Sequence, residues 1–198
     1  MKVKIITLIM VFLYLATACG QQFTNVVLTA NPSEQSETGI TINPQNNNNL
    51  IAVWNDFRSN TFSQPGYAYS TDAGNTWHDN VISSTGGYLY GFDPSISFDR
   101  NGNAFYCYVA SQGNLGPIYI SKSSDNGVTW LSSNQHQVSS LSIKQDKPYI
   151  TIDNSGGQYD GRIYVSWTDF SNGSAIKVAY SVDHVYWFSR KWNLSLIK

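Results

Sequence analysis

The chain contains two near-identical tetrapeptides, Trp54-Asn55-Asp56-Phe57 and Trp167-Thr168-Asp169-Phe170. Each has a carboxylate flanked by aromatic residues. Convergent Asp and aromatic side chains could stack a sugar ring and bind its hydroxyl groups. The same motif could also be a repeated structural corner, in which Asp accepts hydrogen bonds from backbone N–H groups. Because a catalytic residue needs to occur only once, the repetition favours the corner.

Other charged residues recur at matching points of the chain and could also contact a ligand. Asp93, Asp146 and Lys147 lie just ahead of strand-like segments, as does Glu37. Arg58 follows the first of the two tetrapeptides, and its guanidinium could pair bidentately with a carboxylate. The candidate ligand-contacting residues are therefore Asp56, Arg58, Asp93, Asp146 and Asp169, with Glu37 and Lys147 at equivalent points.

An octapeptide of the form Ser-x-Asp-x-Gly-x-Thr-Trp occurs twice, at residues 70–77 and 123–130. Asp can accept hydrogen bonds within its own turn, Gly supplies a positive φ, and Trp can cover a hairpin base. The octapeptide therefore predicts a structural β-hairpin turn. A third copy, Ser181 to Trp187, lacks the Gly and one residue of the spacing, which predicts a poorer hairpin. The fixed residues of the intact copies are Ser70, Asp72, Gly74, Thr76, Trp77, Ser123, Asp125, Gly127, Thr129 and Trp130.

This octapeptide resembles the Asp box, the repeat signature of sialidases and related β-propellers. The resemblance implies four-stranded antiparallel blades, with the box joining the third and fourth strands. In that family the box is structural and lies away from the catalytic pocket. The resemblance therefore indicates a fold and leaves the activity open.

Strand-like segments repeat ahead of each octapeptide. Asp72 and Asp125 are 53 residues apart, and Asp125 and Asp183 are 58 apart, a period that matches propeller blades. We predict an all-β fold, a partial sialidase-like β-propeller over residues 23–198, with approximate repeats 23–85, 86–140 and 141–198. Propellers have four to eight blades, so about three repeats make part of one. Predicted first strands are 39–42, 95–98 and 149–152; second strands are 50–54, 104–108 and 163–167; third strands end at Tyr69, Ile120 and Tyr180.

Meander topology places the octapeptide turns on one rim of such an array. A pocket of the family type would open on the other rim, which carries the ligand-contacting candidates. The sialidase resemblance also implies three Arg that hold the substrate carboxylate, a Tyr nucleophile with a Glu, and an Asp acid/base. Of the four arginines, only Arg58 is predicted on the pocket rim, with Arg100, Arg162 and Arg190 elsewhere. We therefore expect no sialoside hydrolysis by this chain alone.

The first 18 residues have the pattern of a signal peptide. Lys2 and Lys4 precede a mostly apolar run, 5–18, that is too short to span a bilayer comfortably. Ala16-x-Ala18 fits ordinary cleavage before Cys19, which would give plain secretion. The small residues ahead of Cys19 also resemble a bacterial lipobox, which would place a lipid on Cys19. We favour the exported, envelope-anchored lipoprotein over plain secretion.

Composition limits the classes of partner. Aromatic residues make up 14% and charged residues 13% of the 198, a balance typical of half-buried strands. A net charge of −1 provides no basic surface for nucleic acid. We expect no metal site and no cofactor, because no Cys/His cluster is present. An oxygen-rich segment, 153–161, could bind Ca²⁺, but a hairpin loop is favoured there.

Three functional hypotheses follow. The first is an exported, non-catalytic propeller module that binds glycan or a cell-surface protein, with membrane contact only through a lipid anchor at Cys19. The second is an N-terminal fragment of an exo-sialidase-like glycoside hydrolase. The third is a truncated or decayed reading frame. We favour the first, because the sialidase set is incomplete.

Overall fold

The protein is built from antiparallel strands arranged in three successive sheets. The computed structural model describes residues 25–59, 62–83, 87–112, 116–139, 144–171 and 173–181. The first sheet contains β1 Gln35–Asn43, β2 Asn46–Asp56, β3 Gln64–Ser70 and β4 His78–Val81; the second contains β5 Tyr90–Phe98, β6 Ala104–Ser111, β7 Ile118–Ser123 and β8 Gln135–Gln137; the third contains β9 Gln145–Ile152, β10 Ile163–Asp169 and β11 Ala175–Ser181.

Each sheet is a meander in which consecutive strands pair, so the predicted all-β fold of antiparallel sheets is confirmed. Within the described ranges, the helical content is a single 3-10 turn, Ser132–Asn134. The predicted leader, Cys19 and all of the shortened third copy except Ser181 lie outside the described residues. None of the helices that the structure describes is long and apolar enough to cross a membrane.

The second sheet is covered on both faces, which explains why every residue of β6 is buried. Side chains alternate across a strand, so neighbours on β6 point to opposite sides. Tyr106 and Tyr108 pack in a core with the first sheet, while Phe105 and Cys107 pack in a core with the third. Cys107 is a free, fully buried thiol.

The Ser, Asp, Thr and Trp side chains make the same hydrogen bonds in both octapeptide turns. In the second turn, the Thr129 backbone N–H and hydroxyl donate to the Asp125 carboxylate at 2.9 and 2.6 Å. The Trp130 indole N–H donates to the Gly127 carbonyl at 3.1 Å, which folds the ring back over the turn. Hydrogen bonds from Thr76 likewise lower the pKa of Asp72, to about 2.

These turns share a rim with the hairpin loops that join first and second strands. The Asn49 side-chain amide donates to the Asn126 carbonyl, in the next sheet's octapeptide, at 3.0 Å. Gln45 donates to the carbonyl of Arg100, in the equivalent loop of the second sheet, at 2.6 Å. The opposite rim carries the beginnings of the first strands and the ends of the second strands.

The first strands of the three sheets lie next to one another, because β1 contacts β5 and β5 contacts β9. Each is interrupted by a β-bulge, where the pairing with the second strand shifts register. The bulges contain Glu37, Asp93 and Lys147, whose φ values are 57°, 53° and 52°. A bulge re-aims a side chain out of the regular alternation, and here it does so at the same place in all three sheets.

Candidate functional site

A pocket of about 250 Å³ lies where the three first strands meet. Four consecutive residues of each first strand line it, starting at the bulge. We call it the axial pocket. Its lining is Glu37, Thr38, Gly39, Ile40, Asp93, Pro94, Ser95, Ile96, Lys147, Pro148, Tyr149 and Ile150.

Three charged side chains face one another at the mouth of the axial pocket. Lys147 forms an ion pair with Glu37, and its Nζ lies 3.9 Å from a carboxylate oxygen of Asp93. The Asp93 backbone N–H donates to the Asn55 side-chain oxygen at 2.8 Å, which ties this bulge to β2 of the neighbouring sheet. One cation is thus shared by two carboxylates that come from different sheets.

Asp93 is a pocket carboxyl group with a raised pKa. Burial, together with a hydrogen bond and repulsion from Asp146, raises the pKa of Asp93 to about 6. A carboxyl group with this pKa is partly protonated near neutral pH. It can therefore donate a hydrogen bond or a proton, whereas the neighbouring Glu37 carboxylate accepts from Lys147.

The backbone of the pocket is locally strained. Among the described residues, the non-glycine residues with positive φ are the three at the bulges, plus Ala73 and Asn126 in the octapeptide turns. The turns need this conformation to reverse the chain, but a strand does not. Strained, non-glycine positions that recur in strands and carry charged side chains are characteristic of functional sites.

Asp56 and Arg58 form a buried corner at the end of β2. The Asp56 side chain is fully buried and accepts from the Trp54 indole at 2.9 Å and from Arg58 at 2.8 to 2.9 Å. Burial raises the pKa of Asp56, but the hydrogen bonds from Arg58 and Trp54 outweigh it and leave the pKa lowered. Arg58 also donates to Asp79 at 2.8 Å. Neither Asp56 nor Arg58 lines the axial pocket.

Asp169 occupies the equivalent corner of the third sheet. It is buried, accepts from the Ser171 backbone N–H at 2.8 Å and pairs with Lys177. Of the five candidate ligand-contacting residues, the structure brings Asp93 into the axial pocket and Asp146 against it.

Glu37 and Lys147, which the sequence predicts at points equivalent to Asp93 and Asp146, stand with Asp93 at the equivalent bulge positions. The detectable signal is their distance from the first strands: each lies two residues before the segment predicted as strand. Asp146 is one residue out of this register. A bulge has no sequence signature comparable to the octapeptide, so the register could not be fixed from the chain alone.

The remaining described ionisable groups form no second site of this kind. The structure, over the ranges it describes, contains no group of three or more His, Cys, Asp or Glu residues arranged to hold a metal ion. Arg100 pairs with Asp160 at 2.6 Å, and the Arg162 guanidinium lies over the rings of Tyr159 and Tyr180. The described arginines are therefore engaged outside the axial pocket.

Solved structures that are similar to this fold include several β-propeller glycoside hydrolases. A Penicillium chrysogenum α-L-arabinanase, complexed with arabinobiose, is 20% identical over 80% of this chain and 44% of its own, with a TM-score of 0.52. The GH93 α-L-arabinofuranosidase of Fusarium graminearum is 19% identical over 83% of this chain and 46% of its own, with a TM-score of 0.56. A Hadza microbial sialidase is 15% identical over 81% of this chain and 37% of its own, with a TM-score of 0.54.

These likenesses show the fold, and the chain spans less than half the length of each of these three proteins. No protein-family model and no curated protein matches the sequence. The β-propeller part of the predicted resemblance is thereby supported, and the neighbours include an α-L-arabinanase and an α-L-arabinofuranosidase as well as a sialidase.

Proposed function

We propose that the axial pocket binds a neutral carbohydrate and that the protein acts as an exported glycan-binding propeller module. The observation that carries the proposal is the set of three bulges, which direct Glu37, Asp93 and Lys147 into one pocket from three sheets. Carboxylates and an ammonium group bind sugar hydroxyls as acceptors and donors. Tyr149, whose side chain is exposed at the pocket, offers a ring face for stacking.

A neutral ligand fits this pocket better than an acidic one. Recognition of a sugar carboxylate calls for arginine, and each described arginine is paired or stacked elsewhere. The single cation of the pocket, Lys147, is already paired with Glu37 and lies close to Asp93. An acidic sugar would meet these carboxylates. The arabinobiose bound by the structurally similar arabinanase is an example of a neutral disaccharide.

The raised pKa of Asp93 favours a second candidate function, glycoside hydrolysis. In that reaction protonated Asp93 would give its proton to the glycosidic oxygen as the bond to the anomeric carbon breaks. Water would add to that carbon, and the proton that this water loses would pass through solvent to the Asp93 carboxylate, which restores the acid. Binding remains the first proposal because the pocket is formed by only three sheets in the described structure.

A binding titration separates these possibilities. We expect neutral arabino- or xylo-oligosaccharides to bind by isothermal titration calorimetry, and sialyllactose at equal concentration not to bind. Glu37→Gln should weaken binding by about tenfold, since it removes a charged hydrogen-bond acceptor. Glu34→Gln is the matched control, because Glu34 is exposed and does not line the pocket.

Failure of every neutral oligosaccharide to bind, or equal binding by Glu37→Gln and the wild type, would reject the binding proposal. Release of p-nitrophenol from an aryl arabinofuranoside, abolished in Asp93→Asn, would instead establish the hydrolase.

Export and lipid attachment complete the proposed role, and they are supported by the sequence of residues 1–19. The small residues before Cys19 favour cleavage ahead of it and lipid attachment to its thiol. Metabolic labelling of a bacterial host with a palmitate analogue tests this. The wild type should be labelled and Cys19→Ser should not, whereas an unlabelled wild type would indicate plain secretion.

A further inference from the structure

The two tetrapeptides at the corners differ only at their second position, which is Asn55 in the first and Thr168 in the second. The first corner is closed by other members of the motif, because the Trp54 indole donates to Asp56. Asn55 is buried, and its side-chain oxygen accepts from the backbone N–H of Asp93, in the second sheet, at 2.8 Å. The varying position of the motif therefore contacts the neighbouring sheet rather than its own corner.

The contact from Asn55 compensates for the β-bulge at Asp93. The pairing of β5 with β6 skips Asp93, since the register shifts between Phe92 and Ser95. A bulge interrupts the ladder of backbone hydrogen bonds, and a buried N–H group needs another acceptor. Asn55 supplies that acceptor. It thereby holds the backbone of Asp93 in the conformation, with a φ of 53°, that places this residue in the axial pocket.

Asn55 lies on a rim that is firmly packed against the second sheet. It is a member of β2, and it pairs with Pro65 of β3. The Gly91 backbone N–H donates to the Ser63 carbonyl at 3.0 Å, so the first sheet also holds β5 two residues before Asp93. A Cβ atom on Gly91 would lie 2.5 Å from Cγ of Pro65. The two sheets therefore approach each other closely beside the contact between Asn55 and Asp93.

The second sheet holds the next bulge in a different way. Val109 of β6 is the equivalent of Asn55, because each lies opposite the residue that precedes a bulge. A valine side chain cannot accept a hydrogen bond. Burial raises the pKa of Asp93, and hydrogen bonds to its carboxylate from the Lys147 backbone N–H and from the Asn55 side chain oppose this effect. Asp93 is therefore held from the first sheet and in turn holds the bulge of the third.

We propose that Asn55 is a positioning residue of the axial pocket, which holds the Asp93 carboxyl group where it meets a carbohydrate hydroxyl. The inference rests on the proposed binding of a neutral carbohydrate, and it adds a residue that does not line the pocket. An asparagine can hold both parts of Asp93, because its oxygen accepts from the backbone and its amide donates to the carboxylate. A supporting contact of this kind fixes a binding group before the ligand arrives.

Asn55→Val removes both hydrogen bonds, and Val109 shows that the fold accommodates valine at the equivalent position. Asn49→Val is the matched control. Asn49 is also buried on β2 and also joins the first two sheets, by donating to the Asn126 carbonyl at 3.0 Å, but it lies about 20 Å away at the opposite rim. We expect isothermal titration calorimetry with arabinobiose to show about tenfold weaker binding by Asn55→Val and unchanged binding by Asn49→Val.

NMR spectroscopy observes Asp93 without a ligand. In Asn55→Val, the Asp93 amide hydrogen should exchange with solvent about tenfold faster or more, because its acceptor is lost. The carboxyl carbon of Asp93 should titrate at higher pH than in the wild type, because a donor to the charged carboxylate is also lost. The charged groups around Asp93 stay the same, namely Asp146, Lys147 and, through Lys147, Glu37. Asn49→Val should change neither observation.

Asn55→Asp separates the two halves of the contact. An aspartate oxygen still accepts from the Asp93 N–H, so this amide should exchange as slowly as in the wild type. The titration of Asp93 should nevertheless move to higher pH, because the donor is replaced by a second acidic group. Far-UV circular dichroism confirms that the variants are folded. Should Asn55→Val not fold, fast exchange of the Asp93 amide or an unshifted titration in Asn55→Asp would overturn the proposal.

The two kinds of measurement distinguish a failure of this inference from a failure of the proposed function. Asp93 exchange and titration that are unaffected by Asn55→Val, or are changed equally by Asn49→Val, would overturn the positioning role. Equal affinities of Asn55→Val and the wild type for arabinobiose would do the same. A wild type that binds no neutral oligosaccharide, with the expected NMR differences present, would reject carbohydrate binding and leave Asn55 as the residue that positions Asp93.

Discussion

At the scale of single residues, alanine at the glycines of the two octapeptide turns separates the cost of backbone strain from the cost of packing. Gly74 and Gly127 both have positive φ, 88° and 83°, so alanine costs about 1–2 kcal/mol at either position. Gly127 additionally contacts the fully buried Ile51. We predict that Gly127→Ala lowers the free energy of unfolding by about 1–3 kcal/mol more than Gly74→Ala does. Urea denaturation of both variants checks this, and equal losses would contradict the docking of the second turn on the first sheet.

Asp93 makes stability depend on pH. Its folded pKa of about 6 lies above the ordinary value, so the folded state holds the proton more tightly than the unfolded chain. This contribution to stability is present below about pH 4 and is lost as pH rises through 6. The charged groups around it are Asp146, Lys147 and, through Lys147, Glu37.

Asp93→Asn should remove that dependence. Asparagine adopts positive φ readily, so the bulge is retained. We predict a variant about 1–3 kcal/mol more stable than the wild type at pH 7.5, with the difference vanishing near pH 4. Urea denaturation at both pH values measures it. Parallel stability profiles for the two proteins would mean that Asp93 titrates normally.

At the scale of elements, the corner at the end of β2 tests whether Arg58 is structural. Asp56 is fully buried beneath Arg58, whereas the Asp79 side chain is 29% exposed. We predict that Asp56→Ala costs about 3–5 kcal/mol, because it leaves Arg58 and the Trp54 indole without their acceptor. Asp79→Ala should cost about 1 kcal/mol or less. Thermal unfolding of both variants checks this. Similar losses of stability in the two variants would show that Asp56 does not hold Arg58 in place.

The sequence was most informative where a local motif dictates geometry. Strands that end at Tyr69, Ile120 and Tyr180 were predicted within one to three residues, since β3, β7 and β11 end at Ser70, Ser123 and Ser181. Turn chemistry and alternating apolar residues act over a few positions, so the chain displays them directly.

The axial pocket was harder to predict, because it depends on contacts between sheets. Asp93 and Asp146 were identified from their position ahead of first strands. Glu37 and Lys147 were predicted at equivalent points, but only the register shifts with the second strands show that Lys147, and not Asp146, matches Glu37 and Asp93. Arg58 was predicted on the pocket rim from its place after the second strand. Its ion pairs with Asp56 and Asp79 depend on packing, which the spacing of residues in the sequence does not reveal.

At the scale of the whole molecule, one repeated unit supplies both the rigid frame and the site. The octapeptide turns bind their own backbone on one rim, while the bulges point charged side chains into the axial pocket beside the other. The candidate site therefore lies where the sheets converge, on a rigid scaffold of strands.

The most direct test of the axial pocket is a backbone amide NMR titration of the protein with an arabino-oligosaccharide that binds it. The account predicts that resonances of residues 37–40, 93–96 and 147–150 shift together and saturate with one affinity. Resonances of the octapeptide turns, 70–77 and 123–130, should stay unchanged. Shifts confined to those turns, or to the corner at Asp56 and Arg58, would contradict carbohydrate binding at the pocket.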